Sequence, residues 1–211
     1  MSAIFKREFK TFFTSPIGYF VLAVLFGFSG FYFFATNMYA GSADLSGVFG
    51  GLFTIVLLLV LPVLTMRLLS DDKRQRTDQA LLTAPVSLTG IALGKFLAAL
   101  LLFAIGISIT LVFAVIIAFQ VTPDWLVIVG NYVGLLLLGG MVISIGMLIS
   151  SLTESQFIAA LGTFVVSFGL LMVDGLSTLF PSNGVVSAVV NFISVSSINY
   201  FIMLSTICAI S

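Results

Sequence analysis

Long apolar segments separated by short charged ones make up most of the chain. Cutting the sequence at every charged residue leaves six uncharged runs of at least 19 residues: 11–43, 45–66, 96–123, 125–153, 155–173 and 175–211. A helix needs about 20 mostly apolar residues to cross the roughly 30 Å hydrocarbon layer of a bilayer. Because the backbone must satisfy its own hydrogen bonds in hydrocarbon, such runs predict helices. The pattern therefore predicts an all-α polytopic membrane protein with about six transmembrane helices.

The predicted spans form a single transmembrane domain over residues 1–211. We place them at 17–36, 53–69, 96–119, 125–150, 156–175 and 198–211. Segment 177–195 is apolar but interrupted by Pro181, Asn183, Gly184 and Asn191, which favours one or two extracytoplasmic re-entrant helices over a further crossing. The sixth span would be only about 21 Å long at about 1.5 Å per residue. We therefore expect it to begin nearer Asn191 or to be incomplete.

The basic residues indicate the orientation of the spans. All eight precede the first span or lie between the second and third: Lys6, Arg7, Lys10, Arg67, Lys73, Arg74, Arg76 and Lys95. If the spans alternate in direction, these residues all lie on one side of the membrane, which the positive-inside rule makes cytoplasmic. We expect a multi-pass protein of the cell (plasma or inner) membrane with both termini in the cytoplasm.

The first 15 residues have the pattern of an amphipathic helix. Aromatic and basic residues alternate between its two sides: Phe5, Phe9 and Phe12 against Lys6, Arg7 and Lys10. This pattern predicts an interfacial helix over 1–15, lying in the cytoplasmic leaflet and held by aromatic burial and anionic lipid. The alternative is a basic flank that only sets the orientation of the first span.

The loop between spans two and three is longer and more polar than a simple connection requires. Its centre carries mixed charge: Asp71, Asp72, Lys73, Arg74, Gln75, Arg76, Thr77, Asp78 and Gln79. Ser70 can cap a short helix, acidic residues in the first turn complement the helix dipole, and Pro85 ends the element. Segment 70–87 therefore predicts a polar cytoplasmic helix that docks on another protein, unless it is only a solvated loop.

Two motifs resemble a known family. The stretch KRQRTDQALLTAPVS at 73–87, followed by GKFL at 94–97, resembles the permease subunits of ABC-2 type exporters, most closely their gliding-motility (GldF-like) branch. The opening FKREFK at 5–10 with FTSPIGY at 13–19 is similar to the N-terminus of the same family. The resemblance implies a permease that dimerises with a second copy or a paralogue and is driven by separate cytoplasmic ATPase subunits.

The resemblance also assigns roles to segments of this chain. It implies that 70–87 is the coupling helix, with residues 71–79 at the ATPase interface, that 1–15 is an elbow helix, and that re-entrant helices precede the last span. ATP and Mg would be bound by the partner ATPase, and this chain would carry no cofactor. An extracytoplasmic accessory subunit is a further candidate partner beside the lipid bilayer.

Composition excludes several other classes of protein. Only 8% of the residues are charged, against about 25% in soluble domains. Histidine is absent and Cys208 is the single cysteine, so we expect no metal site and no catalytic role. The zero net charge and the absence of a long basic run make nucleic acid an unsuitable partner. Gly94-Lys95 lacks the remainder of a phosphate-binding loop, which is why the energy source must be a separate protein.

Few polar residues lie within the predicted spans. We single out Asn131, Ser144 and Asp174 as candidate pathway residues, with Asp174 near the outer boundary. The alternative to an ATP-driven permease is a stand-alone ion-coupled carrier, but such carriers place charges near mid-membrane and use repeated broken helices. An intramembrane enzyme is a weaker alternative because clustered ionisable groups are lacking.

Overall fold

The computed structural model describes residues 2–39, 45–70, 88–119 and 125–179. Within these residues the chain forms eight α-helices and two π-helical segments, and no strand. The α-helices are α1 Ser2–Thr14, α2 Pro16–Phe33, α3 Ser46–Ile55, α4 Leu61–Thr65, α5 Leu88–Ile107, α6 Ile109–Ala118, α7 Trp125–Leu152 and α8 Gln156–Leu179. The π-helical segments are Phe34–Tyr39, which continues α2, and Val56–Val60, which joins α3 to α4.

Four helical stretches are long and apolar enough to cross a membrane. They are Pro16–Tyr39, Gly47–Thr65, Thr89–Ala118 and Trp125–Leu152, and a shorter apolar stretch, Gln156–Met172, forms most of α8. For the described residues, the predictions of an all-helical fold and of several helices able to span a membrane are thus confirmed. The predicted span 198–211 and residues 180–195 of the predicted re-entrant segment lie outside the described residues, whereas 177–179 belong to α8.

Two predicted spans begin later than the helices that contain them. The second span is predicted from 53, but α3 already begins at Ser46, and the third is predicted from 96, but α5 begins at Leu88. Close packing explains the first difference, because a Cβ on Gly51 would lie 2.5 Å from Tyr32 Cε1. Glycine at this position lets α3 approach α2 closely. Residues 46–52, which the sequence prediction leaves outside the span, therefore belong to the helix. The second difference arises because the prediction places Lys95 outside the span, whereas Lys95 lies within α5 and is buried inside the protein.

The hydrophobic core lies where α2, the second span, α5 and α7 meet. Its largest fully buried side chains are Phe103, Leu25, Leu52, Leu57, Leu61, Leu64, Leu102, Ile107, Leu138, Ile143, Val21 and Val48. Two of these side chains lie against glycines of neighbouring helices, Leu25 against Gly106 and Phe103 against Gly139. Interfaces built from glycine and large apolar residues are typical of helices that pack in a membrane.

The second span is interrupted near its middle. The Leu61 N–H bonds to the Val56 carbonyl five residues earlier, as in a π-helix. Pro62, which has no N–H, lies in the first turn of the regular helix α4 that follows. Before the interruption, α3 packs mainly on α2; after it, α4 packs mainly on α7 and α8.

Candidate functional site around the ends of segment 71–87

The nine residues predicted to contact an ATPase, Asp71 to Gln79, lie outside the described residues. The structure does describe the chain on both sides of that segment, up to Ser70 and again from Leu88. The site can therefore be built from the residues that hold these two ends in place.

The end of the second span is hydrogen-bonded to the end of α7. The Ser150 hydroxyl oxygen accepts from the backbone N–H groups of Ser70 at 3.0 Å and Leu69 at 3.2 Å. The Ser70 hydroxyl donates to the Met66 carbonyl. Ser70 and Ser150 are both fully buried, so these bonds are shielded from competition by water. The chain entering segment 71–87 is thus fixed to the fourth span.

Lys95 joins the two ends of the segment. Its ammonium donates a 2.8 Å hydrogen bond to the carbonyl of Leu68, at the end of the second span. Its side chain is only 3% exposed, and Nζ lies 3.5 Å from Glu8 Oε2 of α1. A buried ammonium is costly unless it is paired and hydrogen-bonded, and the carboxylate and carbonyl meet both requirements. Lys95 therefore connects three elements: α1, the second span and α5.

The N-terminal helix α1 is docked on the protein through its aromatic side. It packs against α5 and α2, and Phe5, Phe9 and Phe13 contact the hydrophobic core. The Phe9 and Phe13 ring centroids are 4.9 Å apart, at a distance typical of interacting aromatic pairs. The sequence predicts aromatic burial in lipid, whereas the structure shows these rings partly covered by the protein itself. The interfacial position of α1 stays a prediction.

The basic side of α1 is exposed. Lys6, Arg7 and Lys10 all point away from the core, and Arg7 Nη2 lies 2.8 Å from Glu8 Oε1. Glu8 therefore has one carboxylate oxygen near an exposed guanidinium and the other near the buried Lys95 ammonium. This arrangement matches the predicted division of α1 into an aromatic and a basic side.

The corner between α1 and α2 is also tied to the second span. Ser15 caps α2, its hydroxyl accepting from the Ile17 N–H at 3.3 Å, and Pro16 occupies the first turn, where its missing N–H costs nothing. Arg67 Nη1 donates to the same Ser15 hydroxyl at 3.0 Å. Lys95, which bonds the Leu68 carbonyl, thus holds α1, and Arg67, next to Leu68, holds the corner that follows α1.

The predicted pathway residues are not brought together. Asn131 is 7% exposed within α7, Ser144 is on the exposed side of the same helix and donates to the Gly140 carbonyl at 2.9 Å, and Asp174 lies in α8, outside the residues whose side chains are described. A set of buried hydroxyls that the sequence analysis did not select lies elsewhere. Thr65 and Thr163 oxygens are 3.4 Å apart between α4 and α8.

Close packing surrounds this pair of threonines. A Cβ on Gly146 would lie 2.6 Å from Thr65 Cβ, so glycine is what allows α7 to reach α4. One turn beyond Thr163, the buried hydroxyl of Ser167 has no hydrogen-bond partner among the described residues. Hydroxyl residues are frequent in membrane helices, and only the spacing of Thr163 and Ser167 by four residues could have pointed to this set.

The described residues contain no group of three or more His, Cys, Asp or Glu side chains that could hold a metal ion. The site consists instead of hydrogen bonds and one ion pair that connect helices.

The fold and the site define a multi-pass helical membrane protein in which the chain before and after residues 71–87 is bonded to the helix bundle. The model of the family described as ABC-2 family transporter protein matches residues 6–169, more than three quarters of the chain. The chain therefore belongs to the ABC-2 transporter family and is an ABC-2 type permease. No curated protein and no solved structure matches it.

Proposed function

We propose that this permease forms, as a dimer, the translocation pathway of an exporter driven by separate cytoplasmic ATPase subunits that bind residues 71–79. The observation that carries the proposal is the family match over 6–169, which includes most of α1, the four long helices and the whole of segment 71–87. Membership of the family implies pairing with an ABC ATPase in general. ATP and Mg are then bound and consumed on that partner.

The contacts around segment 71–87 support a mechanical role for it. Ser70, just before the segment, is bonded to Ser150 of α7. Leu68, before the segment, is bonded through its carbonyl to Lys95, which follows the segment in α5. A displacement of the segment by an ATPase would therefore be passed to α5 and α7 as rigid bodies. A loosely attached loop would absorb the same displacement without moving the spans.

The proposal includes a second permease subunit, because the four long helices among the described residues are too few to enclose a sizeable pathway. The second subunit is either another copy or a paralogue. Ser144, on the exposed side of α7, is then a candidate to face the pathway or the partner, whereas Asn131 is buried within this subunit. Asp174 is retained as a candidate at the outer end of the pathway.

Cysteine cross-linking tests the ATPase interface. With Cys208→Ser as the background, we expect Gln79→Cys or Thr77→Cys to cross-link to an ATPase subunit in native membranes, whereas Ser42→Cys, on the predicted opposite side, should not. The double variant Arg74→Glu plus Arg76→Glu should lose the co-purifying ATPase. A purified permease that transports without any nucleotide-hydrolysing partner would instead support the ion-coupled carrier.

Labelling of the same cysteine background tests the topology. We expect a membrane-impermeant thiol reagent to reach Ser42→Cys from outside intact cells and Gln75→Cys only after the membrane is opened. This result would place the N-terminus and segment 71–87 in the cytoplasm. The opposite labelling pattern would mean that no cytoplasmic ATPase can reach the segment.

A further inference from the structure

We infer that Lys95, Glu8 and the Leu68 carbonyl form a tether that makes the N-terminal helix α1 move together with segment 71–87. Lys95 is thus a positioning residue for the proposed transport cycle. The coupling part of this inference rests on the proposed function, whereas the physical link between α1 and the ends of the segment does not. In this chain α1 would be a moving part of the transmission as well as a membrane anchor.

The Lys95 side chain links the part of the chain that precedes segment 71–87 to the part that follows it. Leu68 precedes the segment and Lys95 follows it, and a 2.8 Å hydrogen bond joins the two. Lys95 lies two turns inside α5, which begins at Leu88, so the bond joins the second span to the body of the third. A displacement of 71–87 therefore acts on Lys95 from both directions along the chain.

The same ammonium also holds α1. Lysine carries three donors that point in different directions, so it can bond a carbonyl and face a carboxylate simultaneously. Nζ lies 3.5 Å from Glu8 Oε2, and the two side chains are 3% and 14% exposed. At such burial each charge is stabilised by the other, although Glu8 also has the exposed Arg7 guanidinium beside its second oxygen. A neutral residue at 95 could bond the carbonyl but would leave Glu8 without its buried partner.

Helix α1 has no other charged attachment to α5 among the described residues. The rest of the contact between the two helices is apolar, through the aromatic side of α1. Apolar contacts are non-directional, and in a membrane the rings could exchange protein for lipid at little cost. The ion pair therefore fixes the position of α1 along α5, and the Arg67–Ser15 hydrogen bond at 3.0 Å holds the corner that follows.

Distance measurements on the permease alone test the physical link. In the Cys208→Ser background, spin labels at Thr11 on α1 and Leu93 on α5, both exposed, report the docking of α1. We expect Glu8→Gln and Lys95→Met to raise the ratio of undocked to docked α1 by about tenfold or more, since each removes one partner of a buried ion pair. Glu154→Gln, which neutralises an exposed carboxylate between α7 and α8, should leave the distribution unchanged.

The coupling is tested in the complex with the co-purified ATPase. With spin labels at Thr11 on α1 and Leu148 on α7, both exposed, trapping the ATPase with ATP and vanadate should shift the position of α1 relative to α7 in the otherwise unmodified protein. In Glu8→Gln the ATPase should remain bound and hydrolyse ATP, but the shift of α1 should be lost. A merely structural role would weaken folding without removing the shift from the complexes that still assemble.

The outcomes separate the two proposals. An unchanged Thr11–Leu93 distribution in both Glu8→Gln and Lys95→Met would refute the tether, whether or not an ATPase binds. A normal shift of α1 in Glu8→Gln would refute its role in coupling. If no ATPase is captured at all, the proposed function fails, while the measurement on the isolated permease still decides whether the tether exists. Should Lys95→Met not fold, Glu8→Gln alone decides, since it preserves the size and shape of the side chain.

Discussion

Replacing Ser150 by alanine tests whether the second span is anchored to α7 as the structure indicates. The substitution removes one oxygen, leaves the packing volume nearly unchanged and raises the helix propensity by less than about 0.7 kcal/mol. It deprives the backbone N–H groups of Leu69 and Ser70 of their acceptor, at 3.2 and 3.0 Å respectively. Because Ser150 is fully buried, water cannot replace the lost oxygen without local opening.

Two estimates bracket the expected loss of stability. Interhelical hydrogen bonds in membranes average about 0.6 kcal/mol each, since the unfolded state in the membrane finds other partners, and two such bonds give a lower bound near 1 kcal/mol. A buried donor left without an acceptor costs about 1–3 kcal/mol, and the upper part of that range applies if both N–H groups stay buried. We therefore expect Ser150→Ala to lower the free energy of unfolding by about 1–3 kcal/mol.

Unfolding of the purified protein by SDS in mixed micelles measures this loss. Ser144→Ala is the matched control, because Ser144 lies on the same helix but is exposed and bonds only the Gly140 carbonyl in its own helix among the contacts described. The control should change the free energy of unfolding by less than about 0.5 kcal/mol. Equal losses in the two variants, or no loss in Ser150→Ala, would show that the anchoring of the second span is wrong.

The same unfolding assay checks two further predictions. Gly146→Ala should destabilise by about 1–3 kcal/mol through overpacking, because the new methyl would lie 2.6 Å from Thr65 Cβ, whereas Gly27→Ala, with nothing within 4 Å, should be neutral or stabilising by up to about 1 kcal/mol; the reverse order would contradict the packing of α7 on α4. Tyr132→Phe should cost about 0.6 kcal/mol, since it removes a 3.2 Å hydrogen bond to the Ala104 carbonyl, and a stabilising result would show that this bond is not formed.

The sequence predicts helix ends well where a charge marks them. The predicted starts at 125 and 156 coincide with those of Trp125–Leu152 and Gln156–Leu179, because Asp124 and Glu154 lie just before them. The third span is predicted to start at 96 because the charge of Lys95 is taken to mark its end, whereas α5 begins at Leu88. A lone lysine is expected at a membrane boundary, but its partner Glu8 is far away in the sequence, and only the fold reveals that the charge is compensated inside the protein.

Other features of the site leave no trace in a pattern of residue types. Phe5 and Phe9 lie on one side of a helix in either case, and lipid and protein interior are equally apolar, so periodicity cannot tell which of the two they contact. Ser144 and Ser150 are likewise equivalent in sequence, and their different roles depend on which side of α7 reaches the second span. Residues 71–79 remain predicted from sequence and family only.

The π-helical turn at Val56–Val60 gives the second span two different contact directions. One extra residue in a turn advances every later side chain by about 100° around the helix axis. The residues of α3 can therefore present their apolar stripe to α2, while Leu64 and Thr65 of α4 present theirs to α7 and α8. Deleting a single residue from 56–60 would leave the hydropathy profile of the span almost unchanged. It would nevertheless rotate Thr65 away from Thr163, and α4 would no longer present the same side chains to α7 and α8.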